Sequence, residues 1–363
     1  QYTIYNNIIK NLLKQDDENS NKKTEKLGYN KMQLPLESLN IVFPIQNDDM
    51  DIDDEKIKEF VGKDGLSQVV KNIDKFPYIY EDEYLDKTNN KSMFSPDNIR
   101  KYSEKIHSII ESIMENDGIT LVYSQYLYGG LLPLALALEE VGFKRFTKKN
   151  NLLDPNYIST RRISSKKSIT GKQLTYAMIT GATTTISTQN SNEIKNASSD
   201  ENVDGDIIKV VLISRAGSEG IDLKNIRSVH IMEPWYNMNR IEQIIGRAVR
   251  NCSHRLLEYK RRNVLIYLYG TVIESENDEM IEGIDLYLYR ISEIKALKIG
   301  AVTRLLKETS VDCLLSSEYN DLSIEKLNTK TEQVFANQKN MTIDVGDKPF
   351  SALCDYMESC SYN

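Results

Sequence analysis

Several things that would assign a function quickly are scarce in this sequence. Its four cysteines, Cys252, Cys313, Cys354 and Cys360, are too few and too scattered for a disulfide framework, so free thiols and a reducing compartment are expected. Cys354 and Cys360 have no CxxC partner, and they stay open between unconnected thiols and part of a metal site. The three histidines, His107, His230 and His254, lack ligand spacing, and His230 reads as a strand residue. No metal is therefore assigned, and neither a Ser-His-Asp set nor a cysteine nucleophile emerges. Long apolar runs are also missing: Leu131 to Leu138, the longest, has eight residues, where a membrane span needs roughly 20. Basic charge is not in excess, with 46 Lys and Arg against 53 Asp and Glu and a net charge of -7. That excludes a wholly basic nucleic-acid coat protein, while a local basic patch can still track a phosphate backbone. The start, QYTIYNNIIKNLLKQDDENSNKK, has no initiator Met, basic opening or small-residue cleavage site. It is expected to be neither a signal peptide nor a natural beginning.

What is present is enough for a core: 363 residues, 40% of them hydrophobic. Residues 1–94 are polar and punctuated, with acidic clusters at Asp16-Asp17-Glu18 and Asp48 to Glu55, and read as linker or peripheral structure. Ser95-Pro96-Asp97 predicts a helix start. Ile99, Tyr102, Ile106, Ile109, Ile110 and Ile113 then share one face until Asp117-Gly118 ends the run. Apolar strand-like segments follow at 119–124, 176–181, 207–214, 228–233 and 263–270, with helices expected over 131–142 and 239–249. Continuous Val/Ile/Leu strands separated by helices imply an α/β fold with a parallel sheet covered on both faces, whose ligand loops lie beyond the carboxyl ends of its strands. Residues 277–309 predict a long helix with an interruption near Gly300, and no element can be placed from 320 on.

The segment LISRAGSEGIDLKNIRSVHIMEPWYNMNRIEQIIGRAVR, residues 212–250, is the most informative. In QIIGRAVR, Gln243, Arg247 and Arg250 are four and three residues apart, so a helix would stack them on one face beside Gly246. Two guanidiniums pointing one way suit phosphates, although a solvated basic helix face would show the same spacing. Upstream, an apolar strand ends at Ser214-Arg215, a glycine-containing turn follows, and Gly220-Ile221-Asp222 closes it. Such turns present amides and hydroxyls where phosphates bind, and they also occur as plain strand-to-helix turns.

Together these two segments resemble motifs V and VI of superfamily 2 helicases, and Tyr123-Ser124-Gln125 is similar to motif IV. The resemblance implies a RecA-like C-terminal lobe spanning 95–275, with a basic insertion at 144–172 and a helical C-terminal extension and tail at 276–363. It implies that Arg247 and Arg250 are catalytic, Arg250 as arginine finger. Gly220, Asp222 and Gln243 would face the nucleotide, and Ser124, Gln125, Ser214 and Arg215 the nucleic-acid backbone. The stretches LVYSQYLYGGLLPLALALEEVGF, YAMITG and VDCLL are similar to helicases of nucleocytoplasmic large DNA viruses, which are related to poxvirus early-transcription helicases. Viral transcription in the virion or the host-cytoplasm factory is the implied setting, with nucleic acid, an N-terminal helicase lobe and viral RNA polymerase as partners.

A superfamily 2 motor also needs a P-loop and a DExx pair after a strand. Neither is in this sequence: Gly62-Lys63 and Gly171-Lys172 run into Asp64 and Gln173, and the Asp-Glu pairs at 17, 54, 82, 200 and 278 do not end apolar strands. ATP and Mg are therefore expected mainly on an absent N-terminal lobe, leaving this piece alone inactive. Two other readings stay open, a nucleic-acid-binding adaptor built on a degenerate lobe and a duplex translocase that does not unwind. Between Lys144 and Lys172 nine basic residues face one acid, Asp154, which suits either a phosphate grip or a solvated insertion. Trp235, the only tryptophan, follows Glu233-Pro234 at a strand end and suits either base stacking or packing on a helix.

Overall fold

The computed structural model describes residues 1, 3–10, 29–44, 57–74, 76–82, 84, 92–146, 151–154, 173–181, 190–218, 220–274, 280–311 and 323–360. Its centre is a six-stranded sheet built from β1 (Ile119–Tyr123), β2 (Lys144–Arg145), β3 (Thr175–Ile179), β4 (Val210–Ile213), β5 (Ile226–Ile231) and β6 (Leu265–Leu268). The spatial order is β2-β3-β4-β1-β5-β6, and every neighbouring pair is parallel. Because β1 lies between β4 and β5, the strand order reverses there, the place where open α/β sheets bind ligands.

Residues of β1, β4 and β5 are buried along their whole length, which is why they read as unbroken apolar runs. Alternate side chains feed two cores. On one face Val122, Tyr176, Met178, Val210 and Leu212 meet α2 (Glu104–Glu115) and α3 (Leu132–Val141). On the other, Leu121, Tyr123, Ala177, Ile179, Val211, Ile213 and Val229 meet α5 (Met238–Ala248) through Ile241, Ile244 and Ala248, and α4 (Asn190–Ala197) through Ala197. This arrangement is the α/β fold, with a parallel sheet covered on both faces, expected from the sequence.

Several local expectations are corrected. Residues 29–94 are not peripheral where they are described: Ile41, Phe43, Leu66, Val69, Tyr78, Tyr80 and Phe94 belong to the same core as β1 and α3. Their polar spacing hides them, because each contributes one or two apolar side chains at a time. The helix expected from Ser95 is two pieces, Ile99–Tyr102 and α2. Ser103 breaks it with an extended backbone, φ -156° and ψ 100°, and caps α2 by accepting from the Ile106 amide at 2.9 Å. The Ser103 hydroxyl also donates to the Asn40 carbonyl at 2.5 Å, at the end of α1 (Gln33–Asn40).

The C-terminal helix α6 (Ile284–Glu308) runs without interruption through Gly300. The glycine answers a packing need, since a Cβ there would collide with the Asp355 carbonyl. Arg304 of α6 grips the same turn, bonding Asp355 at 3.2 Å and the Cys354 carbonyl at 3.1 Å. Cys354 and Cys360 form a disulfide with 4.8 Å between Cα atoms, against the expectation of free thiols, whereas Cys252 is free and exposed. Their spacing of six residues carried no sign of the turn that brings them together. The tail also holds a hairpin, β7 (Thr329–Val334) and β8 (Asn340–Val345). Arg227 fastens it to the sheet, donating to the Val334 carbonyl at 2.8 Å and to the Asn263 carbonyl at 3.1 Å.

Of the basic insertion, Lys144 and Arg145 form β2, while Lys148, Lys149, Arg161, Arg162, Lys166, Lys167 and Lys172 lie outside the described residues. One end of it is pinned from within: buried Glu139 accepts from the Leu152 and Leu153 amides at 2.8 and 2.7 Å and from the Tyr176 hydroxyl at 2.6 Å. Burial outweighs these bonds and pushes Glu139 up from 4.5 to about 7, and burial against a weaker pull from Arg145 does the same to Glu193. An acid raised in the fold favours the folded state when protonated, so its contribution is complete below pH 4.5 and lost as pH rises through 7. Thermal melts of the chain across that window should therefore show Glu193→Gln with a shallower fall in Tm than the unsubstituted protein; an identical or steeper fall would contradict the assignment.

Candidate functional site

At the carboxyl edge of the sheet, β1, β4 and β5 end side by side and deliver Ser124, Ser214 and Glu233. Glu233 is the organising group. Its carboxylate accepts from the Ser124 hydroxyl at 2.9 and 3.0 Å, from the Gln125 amide, and from the Asn40 side chain at 3.0 Å. Asn40 in turn accepts from Lys105 of α2 at 3.0 Å, and Lys105 reaches the Met232 carbonyl at 2.9 Å and Asp285 of α6 at 3.3 Å. Asp285 completes the network on the Thr271 amide and hydroxyl at 2.9 and 2.8 Å. Every side chain from Glu233 to Asp285 is buried, so each polar atom needs these partners. Burial pushes Glu233 up to about 7, opposed by the Gln125 amide, Asn40, Lys105 and Ser124.

This geometry redistributes the four residues expected at a nucleic-acid backbone. Ser124 is fully buried and its hydroxyl is committed to Glu233, so it secures a strand end instead of facing outward. Ser214 is also buried, with its hydroxyl accepting from the Gly217 amide at 3.1 Å inside its own turn. Gln125 is half-buried, and Arg215 is exposed. Arg215 lies 5.5 Å from the centre of the Trp235 ring, and Arg240 from the first turn of α5 lies 4.3 Å from it. Trp235 thus carries two guanidiniums, which join it to the loop after β4 and to α5.

The residues expected at the nucleotide form a second group. Gly220 has φ +73°, a left-handed turn that glycine adopts freely, and nothing lies within 4 Å of where a Cβ would project. Helix α5 stops at Ala248 and Val249 is extended, so Arg250 is not on the helical face that spacing suggested. It folds back instead: its Nε donates to the Gly246 carbonyl at 3.0 Å and its Nη1 pairs with Asp222 at 3.0 Å. Arg250 Nη2 and Arg247 Nη1 both approach the Ile221 carbonyl, at 3.4 and 3.5 Å. Gly220 to Asp222 and the two arginines therefore do converge, though by a turn and not by helical periodicity. Gln243 stands exposed on α5, one turn before Arg247.

Asn40, Lys105, Glu233, Arg240 and Asp285 were not anticipated. A carboxylate directly after the apolar strand SVHIM was a usable signal for Glu233. Asn40 and Lys105 had none, being 193 and 65 residues from the partners they bond.

Comparisons with known proteins assign part of this chain to a family. Residues 146–252 match the helicase conserved C-terminal domain, a span that holds Ser214 through Arg250 and both arginines. The chain therefore contains the C-terminal, second RecA-like lobe of a superfamily 2 helicase. It is of the type carried by nucleocytoplasmic large DNA viruses. Over 233 residues it is 31% identical to "Putative helicase 087L" of Invertebrate iridescent virus 3, covering 63% of this chain and 22% of that protein. It is 43% identical over 135 residues to "Putative ATP-dependent RNA helicase R350" of Acanthamoeba polyphaga mimivirus, covering 36% and 16%. It is 26% identical over 248 residues to the "Termination factor NPH-I homolog" of African swine fever virus, covering 62% and 35%. The chain thus spans between about a sixth and a third of the length of these relatives.

Glu233→Ala removes the common acceptor and leaves the Ser124, Gln125 and Asn40 donors buried without it. A loss of about 3 kcal/mol is expected, the scale of a broken buried network, and urea unfolding of the chain measures it. A loss below about 1 kcal/mol, the worth of one ordinary hydrogen bond, would mean that Glu233 does not organise this edge.

Proposed function

We propose that this lobe works as half of an ATP-dependent nucleic-acid motor in viral transcription, in the virion or the host cytoplasm. Its mate is a lobe bearing the P-loop and DExx pair, and that mate holds most of the ATP and its Mg. The observation that carries the proposal is the gathering of Arg247 and Arg250 on the Ile221 carbonyl, beside Asp222 and the open turn at Gly220. Two cations next to an uncrowded glycine turn suit an anionic phosphate chain. ATP supplies the phosphoryl bond whose hydrolysis drives the cycle. Within this chain, Arg250 acts as the arginine finger and Arg247 steadies phosphate charge, while Gln243 and Gly220 line the same cleft. Asp222 holds the Arg250 guanidinium in place through the 3.0 Å pair until the nucleotide competes for it.

On the nucleic-acid side, Gln125 and Arg215 contact the backbone, with Trp235 held between Arg215 and Arg240 as an adjoining surface. Ser124 and Ser214 support this side by fixing the ends of β1 and β4. Cleft opening and closing then moves this edge along its track, with viral RNA polymerase as the further partner. The second reading is a duplex translocase that acts in transcription termination or initiation, and the African swine fever virus relative is named a termination factor homolog.

In the two-lobe protein, Arg250→Ala should reduce ATP turnover by roughly 10³-fold or more, the scale of arginine fingers. Unchanged turnover would remove the assignment. Strand displacement measured beside triplex displacement separates the two motor readings, because a translocase that does not unwind passes only the second.

A further inference from the structure

Arg250 reaches its position without a helix to carry it, since α5 ends at Ala248 and Val249 is extended. What places its backbone is the next turn. Ser253, buried, donates its amide to the Arg250 carbonyl at 3.1 Å, and its hydroxyl lies 3.3 Å from the Arg250 amide, which it accepts, and 2.8 Å from His254 Nδ1. His254 Nε2 is 2.7 Å from the Ile226 carbonyl, the first residue of β5. A carbonyl only accepts, so Nε2 carries the hydrogen, and in the neutral ring Nδ1 is then an acceptor for the Ser253 hydroxyl. Burial holds His254 below its usual pKa, which favours that neutral form.

The result is a chain of hydrogen bonds in which Ser253 meets both backbone groups of Arg250. The Arg250 amide donates to the Ser253 hydroxyl, whose one hydrogen has the His254 Nδ1 and the Arg250 carbonyl as acceptors, both at 2.8 Å, and His254 donates to the start of β5. A second strut runs alongside it: the Asn225 amide donates to the Ser253 carbonyl at 3.1 Å, from a buried residue with φ +57°. Hydrogen bonds in series polarise one another, and the far end of this chain is the backbone of β5.

We propose that Ser253 and His254 are positioning residues that tie the Arg250 backbone to the first residue of β5 and so aim its guanidinium. This rests on the reading of Arg250 as the arginine finger. The alternative is a turn that merely closes the end of α5, in which case its bonds matter to stability and not to turnover.

The test uses the full two-lobe protein, with ATP turnover and the KM for ATP measured for Arg250→Ala, Ser253→Ala, Ser253→Thr, His254→Gln and the Arg250→Ala/Ser253→Ala double variant. Misplacing a catalytic group by about 1 Å costs on the order of 10²-fold, so Ser253→Ala should lose roughly tenfold or more in kcat with KM unchanged. Ser253→Thr, which keeps the hydroxyl, should recover most of it. His254→Gln keeps a donor for Ile226 but places no acceptor at the Nδ1 position that faces Ser253, and should fall with Ser253→Ala. The double variant should lose no more than Arg250→Ala alone. Independently of turnover, hydrogen exchange on the chain should quicken at the Arg250 and Ser253 amides in Ser253→Ala while β1 and β5 stay protected. If Arg250→Ala turns over normally, the arginine-finger reading fails and this inference with it. If Arg250→Ala is impaired while Ser253→Ala and His254→Gln are not, the inference fails alone. A Ser253→Ala loss as large in the Arg250→Ala background as outside it would also overturn it, and if Ser253→Ala does not fold, His254→Gln decides by the same two comparisons.

Discussion

A carboxylate with no access to solvent must be surrounded by donors, and Glu233 meets that demand from three separate parts of the chain. Ser124 and the Gln125 amide come from the end of β1, Asn40 from the end of α1, and Lys105, through Asn40 and the Met232 carbonyl, from α2. Lys105 carries the constraint on to Asp285 at the start of α6. An isolated charge in that place would be prohibitively costly, so the pieces are held in one arrangement or not at all. The carboxyl edge of the sheet, where the strand order reverses, takes its shape from this network.

Two kinds of support therefore serve the two halves of the site. The ends of β1 and β5 are tied to each other through buried side chains, and β4 joins β1 through the Ser124 amide on the Ile213 carbonyl, beneath Gln125, Arg215 and Trp235. The arginine side is built differently. Gly220 to Asp222 lie on the connection between β4 and β5, and Arg250 lies just beyond the end of α5, in a turn hydrogen-bonded to Ser253 and, through it, His254. Turns of this sort adjust more readily than strand ends. Under the proposed function, a lobe that keeps its grip on a track while its nucleotide site opens and closes would use that difference.

The far end of the molecule is secured separately. Arg227 binds the β7–β8 hairpin to the amino end of the sheet, and Arg304 and Gly300 seat the disulfide-closed turn on α6. Glu139 does the same for the base of the basic insertion through the Leu152 and Leu153 amides. In each case one buried charged side chain collects the backbone groups of a segment that has few apolar residues of its own.

The sequence by itself determined the α/β class, the strands 119–123, 175–179, 210–213, 226–231 and 265–268 to within a few residues, and the pairing of Gly220-Ile221-Asp222 with Arg247 and Arg250. These were legible because burial on both faces writes a continuous apolar run, because α2 and α5 keep a period near 3.6, and because the two segments resemble helicase motifs V and VI. Tertiary structure alone decided that Ser103 and not Ser95 caps α2, that Ser124 is spent inside the protein, that residues 29–94 complete the core, that Cys354 meets Cys360, and that Arg250 arrives by a turn. Each of those outcomes depends on a partner outside the reach of local periodicity, as when Asn40 bonds Glu233 across 193 residues. A hydrogen bond leaves no mark on the sequence between its two ends.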